Sequence, residues 1–174
     1  MIGLLAAFGL AAATGLNAYL PLLIVGLLAR YTDLIALEAP WSALTNPVVL
    51  GVVGVLLAIE FTVDKIPAVD TVNDVIQTIF RPAAGAILFA ASGNAISNVS
   101  PVLAMVCGLL IAGGVHTAKA AARPVVTAGT AGMGNPVVSL AEDAVSGVTT
   151  VVAVVAPVLL LLLVLLAAWL FMRR

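Results

Sequence analysis

Charged and strongly polar residues interrupt this chain so rarely that the gaps between them outline its elements. Residues 1–29 carry no charge, and neither do 82–115 or 144–172. A helix needs about 20 predominantly apolar residues to cross the hydrocarbon of a bilayer. Each stretch is long enough for one crossing, and the second holds enough residues for two short ones. Strands of a membrane barrel alternate apolar and polar positions. These runs do not alternate, and in lipid the helix is the other way to satisfy every backbone group. The expected fold is all-α, a polytopic membrane protein of about five spans (four to six) in a single domain over 1–174, with short or broken segments.

The first span falls near 2–28, with a bend or break at Gly15-Leu16-Asn17 and Pro21. A connection over 30–46 carries Arg30, Asp33, Glu38, Pro40 and Trp41, a mixture suited to a membrane–water interface. The second span covers about 47–63 and ends among Glu60, Asp64 and Lys65. Over 64–81, Ile66, Val69, Val72, Ile76, Ile79 and Phe80 recur at three- and four-residue spacing, with Asp70, Asn73, Asp74, Gln77 and Arg81 on the opposite face. This is an amphipathic helix, lying on an interface or lining a polar cavity. A short apolar segment at 83–97 follows, then a turn within 92–101 and a fourth apolar segment at about 101–118. Residues 127–136 are Gly-, Thr- and Ala-rich and read as a flexible or re-entrant loop. The last element, from about 137 to the terminal Arg173-Arg174, is too long for one crossing. It divides into a short part with Glu142 and Asp143 and a main span at about 152–172.

Composition strengthens the membrane reading. The chain is 63% hydrophobic and 9% charged, against about 25% charged in a typical soluble domain. Too few charges remain to solvate a surface of this size. The net charge of −1 without a basic block argues against nucleic acid as a partner and leaves membrane lipids as the expected surroundings. The single Cys107 has no partner for an internal disulfide. The first segment lacks a basic start and a clean cleavage site, so it is expected to be retained as a helix.

Sliding the chain by 54 residues lays PVVLGVVGVLLAIEFTVDK (47–65) on PVLAMVCGLLIAGGVHTAK (101–119). Pro47/Pro101, Gly54/Gly108, Lys65/Lys119 and Pro82/Pro136 coincide, and the units run over about 46–97 and 100–151. Chance alignment of low-complexity helices is the simpler alternative. Internal repeats with Gly- and Pro-interrupted segments are a sequence pointer to transporter-type sites.

Charges near hydrocarbon cost several kcal/mol and usually face a bundle interior or a watery cavity. Those of interest are Glu60, Asp64, Lys65, Asp70, Asp74, Arg81, His116, Lys119, Arg123, Glu142 and Asp143. Lys65 and Lys119 occupy equivalent repeat positions. The plain expectation is that both end helices and snorkel to the interface; the functional one pairs them with Glu142 and Asp143 across a central cavity. Asp70, Asp74 and Arg81 are expected to form a solvated helix face, with a cavity lining as the alternative. One His without a neighbouring Cys or second His does not make a metal site. No nucleophile–base arrangement or phosphate-binding loop is present, so no enzyme, metal or cofactor is expected.

Several of these residues recur as motifs. Gly15-Leu16-Asn17 with Leu20-Pro21, Asp64-Lys65-Ile66-Pro67 with Asp70, His116-Thr117-Ala118-Lys119-Ala120 with Arg123, and Asn135-Pro136 with Ser139, Glu142 and Asp143 together resemble the bacterial membrane family called domain of unknown function 4126. The resemblance covers most of the chain. Relatives often carry a Ser-Pro-Glu-Pro-like stretch where this chain has Gly132-Met133-Gly134-Asn135-Pro136, so the loop acid is missing here. The resemblance implies a multi-pass protein of the bacterial inner membrane and names no substrate. It points to the same polar residues and adds Asn17 and Asn135 to the pathway candidates.

The functional expectation is a small-solute or ion transporter or channel-like protein, with a polar pathway between the repeats and two or more copies enclosing it. A scaffold or lipid-binding membrane protein is the alternative. Placing Arg173-Arg174 in the cytoplasm leaves Lys65, Arg81, Lys119 and Arg123 on the opposite side of a five-span arrangement. That violates the positive-inside rule unless those residues are buried in the bundle.

Overall fold

In the computed structural model, residues 2–64, 67–92 and 99–173 are described, and every regular element among them is helical. The order is α1 (Ile2–Leu16), α2 (Tyr19–Tyr31), a short 3-10 turn (Trp41–Thr45), α3 (Pro47–Val63), α4 (Pro67–Ala91), α5 (Pro101–Thr130), α6 (Asn135–Val155) and α7 (Pro157–Met172). The segments Asn73–Ala91 of α4, α5 and α6 are each long and apolar enough to cross a membrane. The remaining helices are apolar but shorter, so the count of about five spans is not reached by single long helices.

The first expected span is interrupted at Asn17-Ala18. The Asn17 side-chain carbonyl accepts from the Tyr19 and Leu20 amides at 3.1 and 2.8 Å. It thereby caps two of the amides that a helix start leaves without partners. Pro21 falls in the first turn of α2, where its missing N–H costs no helical hydrogen bond.

Two separations expected along the chain do not exist. The amphipathic segment and the apolar segment after it are one helix, α4, with Pro82 inside it. The fourth apolar segment runs on through Pro124 to Thr130, so the Gly-rich loop shrinks to residues 131–134. Continuity wins because each proline removes one backbone bond, and neighbouring helices and polar side chains compensate. α5 closes on Ala131 in the left-handed region (φ 50°), with the Gly132 amide bonded to the Thr127 carbonyl at 2.9 Å. At the far end, Glu142 and Asp143 belong to a 21-residue helix rather than a short lead-in, and the break comes at Ala156 before Pro157.

α4 and α5 share the largest contact of any helix pair, and α1 packs across both and against α6. The close approach depends on residues without side-chain bulk. A Cβ on Gly85 would lie 2.7 Å from the Gly108 carbonyl oxygen and 2.9 Å from Thr14 Oγ1. One on Gly15 would lie 2.6 Å from the Ala112 carbonyl oxygen. Gly54, the repeat counterpart of Gly108, faces open space. Gly85→Ala is therefore expected to destabilise the protein by about 1–3 kcal/mol through overpacking, whereas Gly54→Ala is neutral or stabilising. Thermal unfolding in detergent checks this pair; equal melting points would refute the tight crossing.

The repeat partners agree at the helix starts and diverge beyond them. Asn46 and Ser100 both cap with their side chains, and Pro47 and Pro101 both follow at the first helical position. Pro82 sits inside α4, while its partner Pro136 opens α6.

The distribution of polarity is inverted relative to a water-soluble bundle. Val75, Ile76, Ile79 and Phe80 of α4 face outward, as do Val102, Leu109 and Leu110 of α5 and Val137, Leu140 and Val148 of α6. Asn73, Gln77, Arg81, His116, Lys119, Arg123, Ser139, Asp143, Ser146 and Thr150 face inward. The expectation of a solvated face is therefore overturned for Arg81, which is fully buried, whereas Asp74 is partly buried and lines a cavity, the alternative expectation. The amphipathic period is present, but the apolar side of α4 looks outward and the charged side packs on α3 and α5.

A candidate functional site in the buried ion network

Glu60 and Asp64 lie at the C-terminal end of α3, where the helix dipole disfavours negative charge. Their cations come from other helices. Arg81 of α4, 0% exposed, donates from Nη2 to Glu60 Oε1 at 3.0 Å and lies 3.6 Å from Asp64 Oδ2. Its Nη1 is 3.5 Å from Asp74 Oδ1 and 3.0 Å from His116 Nδ1. The other His116 nitrogen is 3.1 Å from the Thr78 hydroxyl, which donates to the Asp74 backbone carbonyl at 2.9 Å. Asn73 donates to Asp64 Oδ1 at 2.6 Å.

Asp64 joins this cluster to a second one. Lys119 Nζ is 3.7 Å from Asp64 Oδ2 and 2.9 Å from Glu142 Oε2, and Arg123 Nη2 donates to the same Glu142 oxygen at 2.7 Å. Lys119 also donates to the Leu16 carbonyl at 3.1 Å. Its ammonium thus sits at the C-terminal end of α1, where the dipole favours a cation. Asn17 bridges the break: its amide nitrogen donates to Asp143 Oδ1 at 2.9 Å while its oxygen caps α2. Ser146 of α6 donates to the Ala13 carbonyl at 2.9 Å. Discontinuous helices whose half-helix ends face a polar site at mid-depth are a recurrent way to build an ion or substrate site in a membrane.

Lys119 therefore does not snorkel to an interface. It is 6% exposed and pairs with Glu142, while Asp143 accepts from the Asn17 amide. Nor do Glu142 and Asp143 sit in an exposed loop. Arg81, Lys119 and Arg123 are buried in the bundle, so the positive-inside rule, which counts loop residues, does not apply to these three. Asn135 stands apart from the network. It exchanges hydrogen bonds with Thr127 Oγ1 at 3.0 and 3.1 Å and latches α5 to α6 across the turn. Lys65 lies outside the described residues, and so does the side chain of Asp70.

The network also contains Asn73 and Thr78, which the sequence reading does not single out as candidates. In the sequence the signal is a polar stripe at helical spacing (60 and 64, 73 and 77 and 81, 116 and 119 and 123, 139 and 143 and 146 and 150), which marks Asn73 but leaves Thr78 off its line. Among the described residues it holds five carboxylates (Glu60, Asp64, Asp74, Glu142, Asp143) against three permanent cations (Arg81, Lys119, Arg123), a formal excess of two negative charges. A cavity of about 540 Å³ between α4 and α5 reaches it, lined by Asp74, Thr78, Arg123 and Thr127 together with Ala120 and Pro124. Pro82 and Pro124 remove the helical donors to the Thr78 and Ala120 carbonyls, so two backbone oxygens are released beside this cavity.

The sequence pattern of the family described as domain of unknown function 4126 matches residues 4–174. The chain belongs to that family. No curated protein and no solved structure matches it. The matched region includes every member of the buried network and the break between α1 and α2, so the candidate site lies wholly within the family's shared domain.

Proposed function

We propose that this chain is a multi-pass protein of the bacterial inner membrane that moves a small solute or ion along a polar pathway, and that it is not an enzyme. The observation that carries the reading is the network itself: eight charged side chains from four helices are gathered in the bundle, and two of them, Lys119 and Asp143, reach the break between α1 and α2 at Leu16 and Asn17. A buried ion pair contributes little to stability compared with well-packed apolar residues. Ionisable groups held at this depth by an otherwise apolar bundle mark ion and substrate pathways. The shared cap-and-proline starts of α3 and α5 support a repeat of about 54 residues framing the pathway. Arg173 at the end of α7, stacked on Trp169 at 4.0 Å, suits a cytoplasmic interface anchor. With α7 apolar on all sides, a homo-oligomer surrounded by lipid is the proposed assembly.

Flux into liposomes reconstituted with the purified protein tests this, across protons, alkali cations and small anions. Flux of at least one class is expected, with loss in Glu142→Gln. Folded protein that moves none of them would refute the transport reading.

A second reading rests on a different cavity. About 520 Å³ of apolar space lies between α1, α5, α6 and α7, lined by residues such as Phe8, Ile111, Val115 and Leu161. It suits an acyl chain, as in a lipid-binding or scaffold protein. Lipid co-purifying at fixed stoichiometry, without flux, would favour it.

A further inference from the structure

Arg81 Nη1 and the Thr78 hydroxyl hold the two ring nitrogens of His116 at 3.0 and 3.1 Å. A guanidinium has donors and no acceptor. His116 Nδ1 must therefore accept from Arg81, and the ring is neutral with its hydrogen on Nε2. That N–H donates to Thr78, whose own hydrogen goes to the Asp74 carbonyl. The hydrogen-bond directions are thus fixed by the one partner that cannot accept.

We propose that His116 is the proton-binding site through which transport by this protein is coupled to proton movement, with Arg81 as the group that its protonation displaces. The proposal rests on the transport reading above. One proton adds to the Nδ1 lone pair, giving an imidazolium that keeps its Nε2–H bond to Thr78. No other bond is made or broken covalently. The Arg81 Nη1–H to Nδ1 hydrogen bond is lost, because both sides are now donors. Arg81 has Asp74 Oδ1 at 3.5 Å as an alternative partner. Arg81 also holds Glu60 and touches Asp64, which in turn touches Lys119. Its movement therefore reaches the helix break through Lys119 and the Leu16 carbonyl.

Charged groups of both signs surround the ring. Facing His116 from α4 are Asp74 and Arg81, with Glu60 and Asp64 of α3 behind Arg81. Lys119 and Arg123 share its own helix and are joined to Glu142 of α6. The α1 residues 2–16 contain no titratable side chain. With a formal excess of two carboxylates among the described residues, a proton on His116 lowers the imbalance. Asp74 and Thr78 both line the α4–α5 cavity, so water there lies next to the groups that flank the ring.

His116 is the chain's only histidine, so selective nitrogen-15 labelling of histidine in the purified full chain reports one imidazole without assignment. At neutral pH the expected signals are those of a neutral ring protonated on Nε2. Acidification should convert them to the doubly protonated form. A neutral ring protonated on Nδ1, or a ring charged throughout about pH 5–8, overturns the proposal. In liposomes, wild-type flux should change by about tenfold per pH unit on one side of the transition, as one proton requires. His116→Gln offers an acceptor to Arg81 and a donor to Thr78 but does not titrate. Its flux should be reduced and flat with pH, and a wild-type pH profile in that variant would refute the coupling. If the wild type moves no solute while the ring titrates as described, the transport reading falls and the proton site stands.

Discussion

Arg81→Leu is expected to be among the most damaging single substitutions in this protein, costing about 3–5 kcal/mol. The side chain is 0% exposed and is the near cation for Glu60, with Asp64 and Asp74 within 4 Å. Removing it takes the near cation from Glu60 and Asp74, leaves Asp64 paired with Lys119 at 3.7 Å, and strips His116 Nδ1 of its donor. The natural probe is Cys107, the single cysteine, partly buried on α5: its labelling by a thiol-reactive fluorophore during a thermal ramp in detergent follows unfolding. The double variant Glu60→Gln/Arg81→Gln should lose less than the sum of its single variants, because charge and counter-charge leave together. Strict additivity would mean that the 3.0 Å contact carries no energetic coupling.

Lys119→Met should be comparably severe, again about 3–5 kcal/mol, and for a different structural reason. Lys119 ties three elements to one point. It pairs with Glu142 of α6 at 2.9 Å, reaches Asp64 of α3 at 3.7 Å, and donates to the carboxyl end of α1 at 3.1 Å. Methionine has a similar stem and fills the space, so the loss reports the ammonium rather than a cavity. The break at Asn17 should loosen with it, because Leu16 O loses its donor while Asn17 retains only Asp143 and the α2 cap. The same thermal ramp checks the outcome. A melting point unchanged from wild type would mean that the ammonium is solvated in the protein and does not close the network.

Both expectations concern residues that the sequence marks as unusual without saying how they are used. The apolar runs, the helical period over 64–81, the Pro-led starts of α3 and α5 and the interruption near Asn17 all follow from local rules. Lipid-compatible length, the 3.6-residue period and capping chemistry act within a few residues of chain. The candidate charges were legible for the same reason, since so few appear in a chain this apolar.

What tertiary structure alone decided is which way each polar face points and which charges meet. The amphipathic pattern of α4 is the same whether its charged side faces water or faces α3 and α5. Only packing places Arg81 against Glu60, 21 positions away, and buries both. The Asn17–Asp143 bond spans 126 positions and the Lys119–Leu16 contact 103. No local propensity encodes such pairings. Continuity through Pro82 and Pro124 is likewise a tertiary outcome, because a lone helix pays for the missing backbone bond and a packed bundle compensates for it. By itself, then, the sequence determined that the chain is helical and carries too much apolar surface for water, and which scarce polar residues matter. Folding determined that those residues form one buried, acid-rich network around a helix break, because ion pairing in an apolar bundle depends on three-dimensional proximity rather than on order along the chain.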